Sequence, residues 1–316
     1  MARVVGSEIM TNSHQQSFSL WKKAIEQRTG VRVTEDRERA LGNLLSRRMQ
    51  ELQYDDPNQY FADSLDDAKG AEEWSRWVDS LLIKETSFFR HQPSLNYVTL
   101  WIQSLAKTSS LKKPQSDSTL WLWSLGCSSG EEAYSLAITM REAMKSLPHP
   151  LPFAIVATDI SHKAIAEAKL GVYSHRKLRG VSAPLRQKYF DPIGADKYRV
   201  KNCLRGDICF STSNILSSQS PLLQRKMDLI YCQNMLVYFR RWQRREIVSQ
   251  LALQMQDESH MILGMGELGS WAPPNLTRSL PRTVQAYSRA AGNAGAKVSG
   301  VQQSSQPKLD KAIRRC

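Results

Sequence analysis

The sequence predicts an α/β fold: a Rossmann-like domain on a parallel sheet, with a small helical N-terminal domain before it and an inserted β-subdomain of short strands within it. Three observations lead there. Short apolar segments at 120–125, 153–157 and 227–232 have the length of buried strands, and helical periodicity at 131–144, 163–169 and 242–255 follows them. Such alternation calls for right-handed crossovers, which set the strands parallel. Residues 171–214 interrupt it with turns and short strands, 198–200 and 208–210 among them, and read as an insertion. Helical patterns at 18–28 and 34–52 precede any strong strand signal.

In the second of these helices Ala40, Leu41, Leu44, Leu45 and Met49 recur at helical spacing, with Thr34 placed to cap it. Its polar face carries Arg37, Arg39, Arg47 and Arg48. A further helix at 72–83 leads into Thr86-Ser87-Phe88-Phe89-Arg90, and a last strand is expected at 260–263. The resulting division is a helical domain and linker over 1–85, an α/β domain over 86–290 with its insertion at 171–210, and a basic tail over 291–316. That tail is rich in Gly, Ser, Gln and Lys, lacks apolar periodicity, and reads as disordered.

Composition narrows the class. With 316 residues and 41% apolar content the chain can bury a sizeable core. Its apolar runs fall far short of the roughly 20 residues of a membrane span. The opening residues show no secretory leader, so a cytoplasmic location without membrane insertion is expected. Five cysteines without paired metal-ligand spacing fit reduced thiols and no metal. The net charge of +13 is unevenly spread: residues 1–85 hold 12 basic and 15 acidic side chains, whereas 171–206 hold nine basic against two acidic and 225–245 six against one. A basic surface of this kind suits an anionic partner, although a merely solvated surface explains it as well.

The turn after the first strand reads Gly126-Cys127-Ser128-Ser129-Gly130-Glu131-Glu132 and runs directly into a helix. Glycines there let a ligand approach the backbone, or simply make a tight turn; their spacing is not the dinucleotide fingerprint. The second strand ends in Asp159, a carboxylate at the carboxyl edge able to bind ribose hydroxyls or to cap the following helix. Glu131 and Glu132 would repel a pyrophosphate and attract a cationic sulfonium, which favours S-adenosylmethionine over NAD or ATP.

Five motifs in register carry a resemblance over nearly all of 18–290. They are Thr86-Ser87-Phe88-Phe89-Arg90, Gly126 to Ser135, Ala157-Thr158-Asp159-Ile160, Ser213-Asn214-Ile215-Leu216, and Tyr231-Cys232-Gln233-Asn234-Met235-Leu236-Val237-Tyr238-Phe239. In these the chain resembles the CheR family of protein-glutamate methyltransferases. The resemblance implies a class I S-adenosylmethionine-dependent methyltransferase domain, with Thr86, Arg90, Gly126, Glu132, Asp159, Asn214, Ile215, Gln233 and Asn234 at the cofactor. It also implies Arg90 and Tyr238 at the transferring methyl as catalytic residues. Between Glu131 and Glu132, the second is preferred. Lys84 and Gln233 depart from the family pattern, which has Asn and Arg there, and the insertion matches a small β-subdomain that in some members docks a receptor peptide. Phe88, Phe89 and Phe239 are expected to serve core packing.

The implied reaction asks little of the protein. A glutamate with an ordinary pKa of about 4.3 is already ionised at neutral pH, so no general base is required and alignment supplies the rate. Arg90 would hold the incoming carboxylate without over-stabilising it, and Tyr238 would orient an oxygen or steady the sulfonium. The implied partner is a methyl-accepting chemotaxis receptor, whose glutamate-rich coiled coil would meet Arg37, Arg47 and Arg48 as substrate-binding residues. No nucleic acid and a monomeric chain are expected. Flagellar and pilus-linked pathways both remain open, as do an RNA methyltransferase and a non-catalytic sensor.

Overall fold

A computed structural model describes residues 12–66, 70–82, 85–105, 119–217 and 225–290. The departure at Lys84 and the tail over 291–316 lie outside the described residues. The chain divides into two compact units, one ending at Ile83 and the other starting at Lys84.

The first unit is helical: α1 (Asn12–Thr29), α2 (Glu35–Glu51), α3 (Pro57–Leu65) and α4 (Ala71–Leu81). Trp21 stacks on Trp77 with ring centroids 4.3 Å apart, and Tyr60, Leu41, Leu45 and Met49 close the core around them. Thr34 sits at the N-cap of α2, but its side chain makes no capping hydrogen bond. The sequence pattern passed over α3, which is short and starts on Pro57; Asp56 caps it, accepting the Asn58 N–H at 2.9 Å.

Arg48 does not stand on the polar face of α2 as expected. Its Nε lies 3.1 Å from each oxygen of Glu73 on α4, its Nη2 2.5 Å from Oε1, and its Nη1 bonds Glu51. The Tyr60 hydroxyl donates to Glu73 at 2.8 Å and accepts from the Trp77 indole at 3.0 Å, so the pair is one end of a chain of hydrogen bonds into the aromatic core. Two helices thus share a guanidinium whose charge is met by Glu73 and Glu51, which commits it to the helical unit's own structure. Arg47, by contrast, is 66% exposed.

The second unit opens with α5 (Gln92–Leu105) and continues through β1 (Leu120–Leu125), α6 (Glu131–Met144), β2 (Phe153–Asp159) and α7 (His162–Leu170). The insertion follows as β3 (Val172–Ser174), α8 (Ala183–Tyr189), β4 (Phe190–Ile193), β5 (Lys197–Val200) and α9 (Asn202–Arg205). Then come β6 (Ile208–Thr212), β7 (Met227–Cys232), α10 (Arg241–Leu253), β8 (Met255–Leu263), β9 (Thr277–Arg278) and β10 (Gln285–Ser288). Strands β3, β5 and β4 form a separate antiparallel sheet. Residues 208–210, read as part of the insertion, belong instead to β6, which pairs in parallel with β2 at the edge of the central sheet.

That central sheet runs β6-β2-β1-β7-β8-β10-β9; β6, β2, β1, β7 and β8 pair in parallel, and β10 runs antiparallel to both β8 and β9. Alternate strand residues face two cores: Leu122, Ile155, Leu229 and Ile262 one side, Trp123, Val156, Ile230 and Met261 the other. From β1 the chain moves outward through β2 to β6, then crosses back to place β7 on the other side of β1. The order therefore reverses between β1 and β7, and in open α/β sheets ligands bind in the crevice beyond the carboxyl ends of such neighbours.

Candidate functional site

The turn between β1 and α6 is stitched to the end of β2, because the N–H groups of Gly126 and Cys127 both donate to the Thr158 carbonyl, at 2.8 and 3.0 Å. Gly126 and Gly130 adopt φ of 78° and 95°. A Cβ on Gly126 would come within 2.7 Å of Met235, and one on Gly130 within 2.8 Å of Ala168. Beside this turn, the two oxygens of Asp159 accept the N–H groups of Ser128 and Ser161, each at 2.9 Å. The cap of α7 is the Ser161 hydroxyl, which takes the Ala164 N–H at 2.9 Å, so Asp159 braces the ligand turn instead of capping.

The two glutamates divide their work. Glu131 is fully buried, bonded to Lys177 and, at 2.8 Å, to the Ser129 hydroxyl; it ties the turn to the insertion. Glu132 accepts from the Ser124 hydroxyl at 2.7 Å at the mouth of β1. Burial pushes the Glu132 carboxyl well above the usual carboxylate range, the charges of Glu267 and Asp159 add to that, and the Ser124 bond and Arg90 oppose it. Glu132 thus shares the crevice with the charges of Glu267, Asp159 and Arg90.

Arg90 reaches it from the segment before α5. Phe88 is packed in the core against Tyr173 and Phe190, while the Phe89 N–H donates to the Ser135 hydroxyl at 2.9 Å and so hangs the segment on α6. Phe89, in the left-handed region at φ 54°, turns the chain to leave Arg90 exposed, its Nη1 2.7 Å from the Glu85 carbonyl. Thr86 is half-buried just before it.

The loop after β7 supplies the other wall. Gln233 is half-buried and its Nε2 is a buried donor with no partner among the described residues; left so, it costs about 1–3 kcal/mol, which a ligand acceptor would recover. Asn234 is exposed at φ 57°, and Tyr238 is half-buried at the end of the 3-10 turn Leu236–Tyr238. After β6, Asn214 accepts the Leu216 N–H at 3.0 Å and Ile215 packs on the core beneath. Arg37, Arg47 and Arg48 lie in the helical unit.

Sequence reasoning missed Glu267. It is 3% exposed, follows β8, and accepts the N–H groups of Gly264 and Val237 at 2.8 and 3.2 Å. A carboxylate just past the carboxyl end of a strand, in Gly264-Met265-Gly266-Glu267, was the available signal. The donor set fits S-adenosylmethionine: carboxylates for a sulfonium and a ribose, glycines for close approach, and one orphaned amide.

This field makes affinity pH-dependent in a defined sense. A raised carboxyl pKa means that Glu132 binds its proton more tightly in the empty crevice; a cationic ligand favours the carboxylate and expels that proton. Affinity for the sulfonium form should therefore rise with pH through the raised pKa, while the neutral thioether S-adenosylhomocysteine gains less. Calorimetry of both ligands across pH checks this, and parallel profiles would contradict it.

Comparison with known proteins bears on the same residues. The family model described as "CheR methyltransferase, SAM binding domain" matches residues 84–281, and that described as "CheR methyltransferase, all-alpha domain" matches 16–82. "Chemotaxis protein methyltransferase 2" of Pseudomonas aeruginosa is 29% identical over 273 residues, covering 85% of this chain and 92% of that protein. "Chemotaxis protein methyltransferase" of Borreliella burgdorferi is 29% identical over 190 residues, and "Chemotaxis protein methyltransferase 1" of Vibrio cholerae 31% over 192. Each of these two alignments covers 60% of this chain and 66% of the relative's own length.

Proposed function

The chain belongs to the CheR methyltransferase family, and on that premise we propose that it methylates glutamate side chains of methyl-accepting chemotaxis receptors, using S-adenosylmethionine and leaving glutamate methyl esters. The observation that carries this reading is the crevice at the β1/β7 switch point, where Glu132, Asp159 and Glu267 gather beside Arg90. S-adenosylmethionine, when bound, supplies a methyl group already activated by the sulfonium charge. Thr86, Gly126, Glu132, Asp159, Asn214, Ile215, Gln233 and Asn234 would hold it, with Asp159 on the ribose and Glu132 toward the charged end.

The remaining work is alignment. Arg90, exposed and with its Nη1 on the Glu85 carbonyl, is placed to receive the target carboxylate by a charge-assisted pair. Tyr238 would orient the attacking oxygen. A target glutamate needs no deprotonation at neutral pH, which suits a site whose own carboxylates are committed to the ligand.

Receptor docking through the helical unit assigns its arginines unequal roles. Arg47→Glu should raise the receptor KM several-fold and leave S-adenosylhomocysteine affinity unchanged, since it reverses an exposed charge. Arg48→Glu should instead unfold the helical unit more readily, by about 3 kcal/mol, because it opposes Glu73. Thermal melts beside receptor kinetics separate the two, and an Arg47→Glu variant with wild-type KM would remove Arg47 from the docking surface. The activity is tested by incubating the protein with methyl-labelled S-adenosylmethionine and receptor-containing membranes. Label on the receptor, lost in Arg90→Ala, supports the reading; cofactor binding without receptor labelling points to a sensor.

A further inference from the structure

We infer that Arg244 and Glu267 form a clamp that fixes the loop 233–239, and through it Tyr238, in its working position; both are positioning residues. This rests on the reading of Tyr238 as the residue beside the reacting carboxylate. The loop needs such help. It leaves β7 through Asn234 in the left-handed region, φ 57°, which turns the chain sharply out of the strand. Its 3-10 turn carries the bonds Tyr238 N to Met235 O, 3.2 Å, and Phe239 N to Leu236 O, 3.0 Å, and such short turns are weakly held.

Two side chains from elsewhere take further backbone groups of the loop. The Glu267 carboxylate accepts from the N–H groups of Val237, at 3.2 Å, and Gly264, at 2.8 Å. Arg244, from the first turns of α10, donates Nε to the Phe239 carbonyl at 2.9 Å, Nη2 to the Val237 carbonyl at 3.2 Å and Nη1 to the Glu267 carbonyl at 2.9 Å. A planar guanidinium can span three carbonyls in this way, and an ammonium cannot. The far side is anchored too: the Gly266 N–H donates to Gln285 on β10 at 3.0 Å. Gly264 leaves the room required, since a Cβ there would lie 2.5 Å from Glu267 Oε2 and 3.0 Å from Asn234 N. Glu267 thus serves twice, holding the loop and adding its charge to the field at Glu132.

The test uses the full chain with Arg244→Ala, Arg244→Lys and Glu267→Gln. Amide hydrogen exchange over 235–239 should quicken about tenfold in Arg244→Ala, while exchange over 126–132 stays as in the wild type. In receptor methylation, kcat should fall about 10- to 100-fold, as for a misplacement of about 1 Å, with S-adenosylhomocysteine affinity within threefold and Arg244→Lys intermediate. Wild-type exchange over 235–239, or a kcat loss no larger than the loss of cofactor affinity, would overturn the clamp. Should the wild-type protein label no receptor, the functional reading fails, and the exchange result alone still decides whether the clamp exists.

Discussion

Asp159→Ala is expected to raise the dissociation constant for S-adenosylhomocysteine about 100-fold, the largest single effect on the cofactor. The carboxylate holds two backbone N–H groups, of Ser128 in the ligand turn and Ser161 at the start of α7, each at 2.9 Å. Bonds of this kind to a charged acceptor are worth about 1.5–3 kcal/mol each. Losing the one that shapes the turn, together with the proposed ribose contact, corresponds to about two decades of affinity at 1.4 kcal/mol per decade. Ser161 still caps α7 through its own hydroxyl, so the fold should survive. Asp159→Asn, which keeps one acceptor oxygen, should fall between. Calorimetric titration reads both variants, and an Asp159→Ala protein with unchanged affinity would remove Asp159 from the site.

Arg90→Ala should act on the other term, lowering kcat for receptor methylation about 100-fold, the order lost when an aligning contact goes and the reacting atoms sit about 1 Å out of place. Cofactor affinity should change far less, because the Gly126–Gly130 turn, Asp159 and the Ser124-bonded Glu132 stay in place. Arg90→Lys keeps the charge and loses the planar fork, so partial activity is expected. Phe89 stays bonded to Ser135 in both variants, which keeps the segment in place. Single-turnover kinetics at saturating cofactor check the split; equal losses in kcat and cofactor affinity would make Arg90 a binding residue only.

The alternation of strand and helix was legible because its signals are local: the apolar runs at β1, β2 and β7 and the glycine turn lie within single segments. What escaped depends on pairing across the chain. Nothing within 208–210 distinguishes a subdomain strand from an edge strand of the central sheet; only its parallel register with β2 does. Helix α5 did carry a signal in Leu95, Val98, Trp101 and Ile102, at helical spacing and buried, but Pro93 near its start reads as a break.

At the site, sequence alone could not separate Glu131 from Glu132, adjacent residues of equal chemistry. Lys177, 46 residues away, takes the first, and Ser124 holds the second. Arg48 looked like its neighbour Arg47 until Glu73, on another helix, was found against it. Glu267 was missed for the same reason: its meaning depends on the loop after β7 lying beside the turn after β8, which the pairing of those strands brings about.

The measurement that reaches the central claim most directly is the alkali lability of methyl groups transferred from labelled S-adenosylmethionine to chemoreceptor membranes. A carboxyl methyl ester on a glutamate should release its label as methanol under mild alkali, with release abolished when the protein carries Arg90→Ala. Label that resists alkali, or that appears on RNA instead of the receptor, would contradict the account.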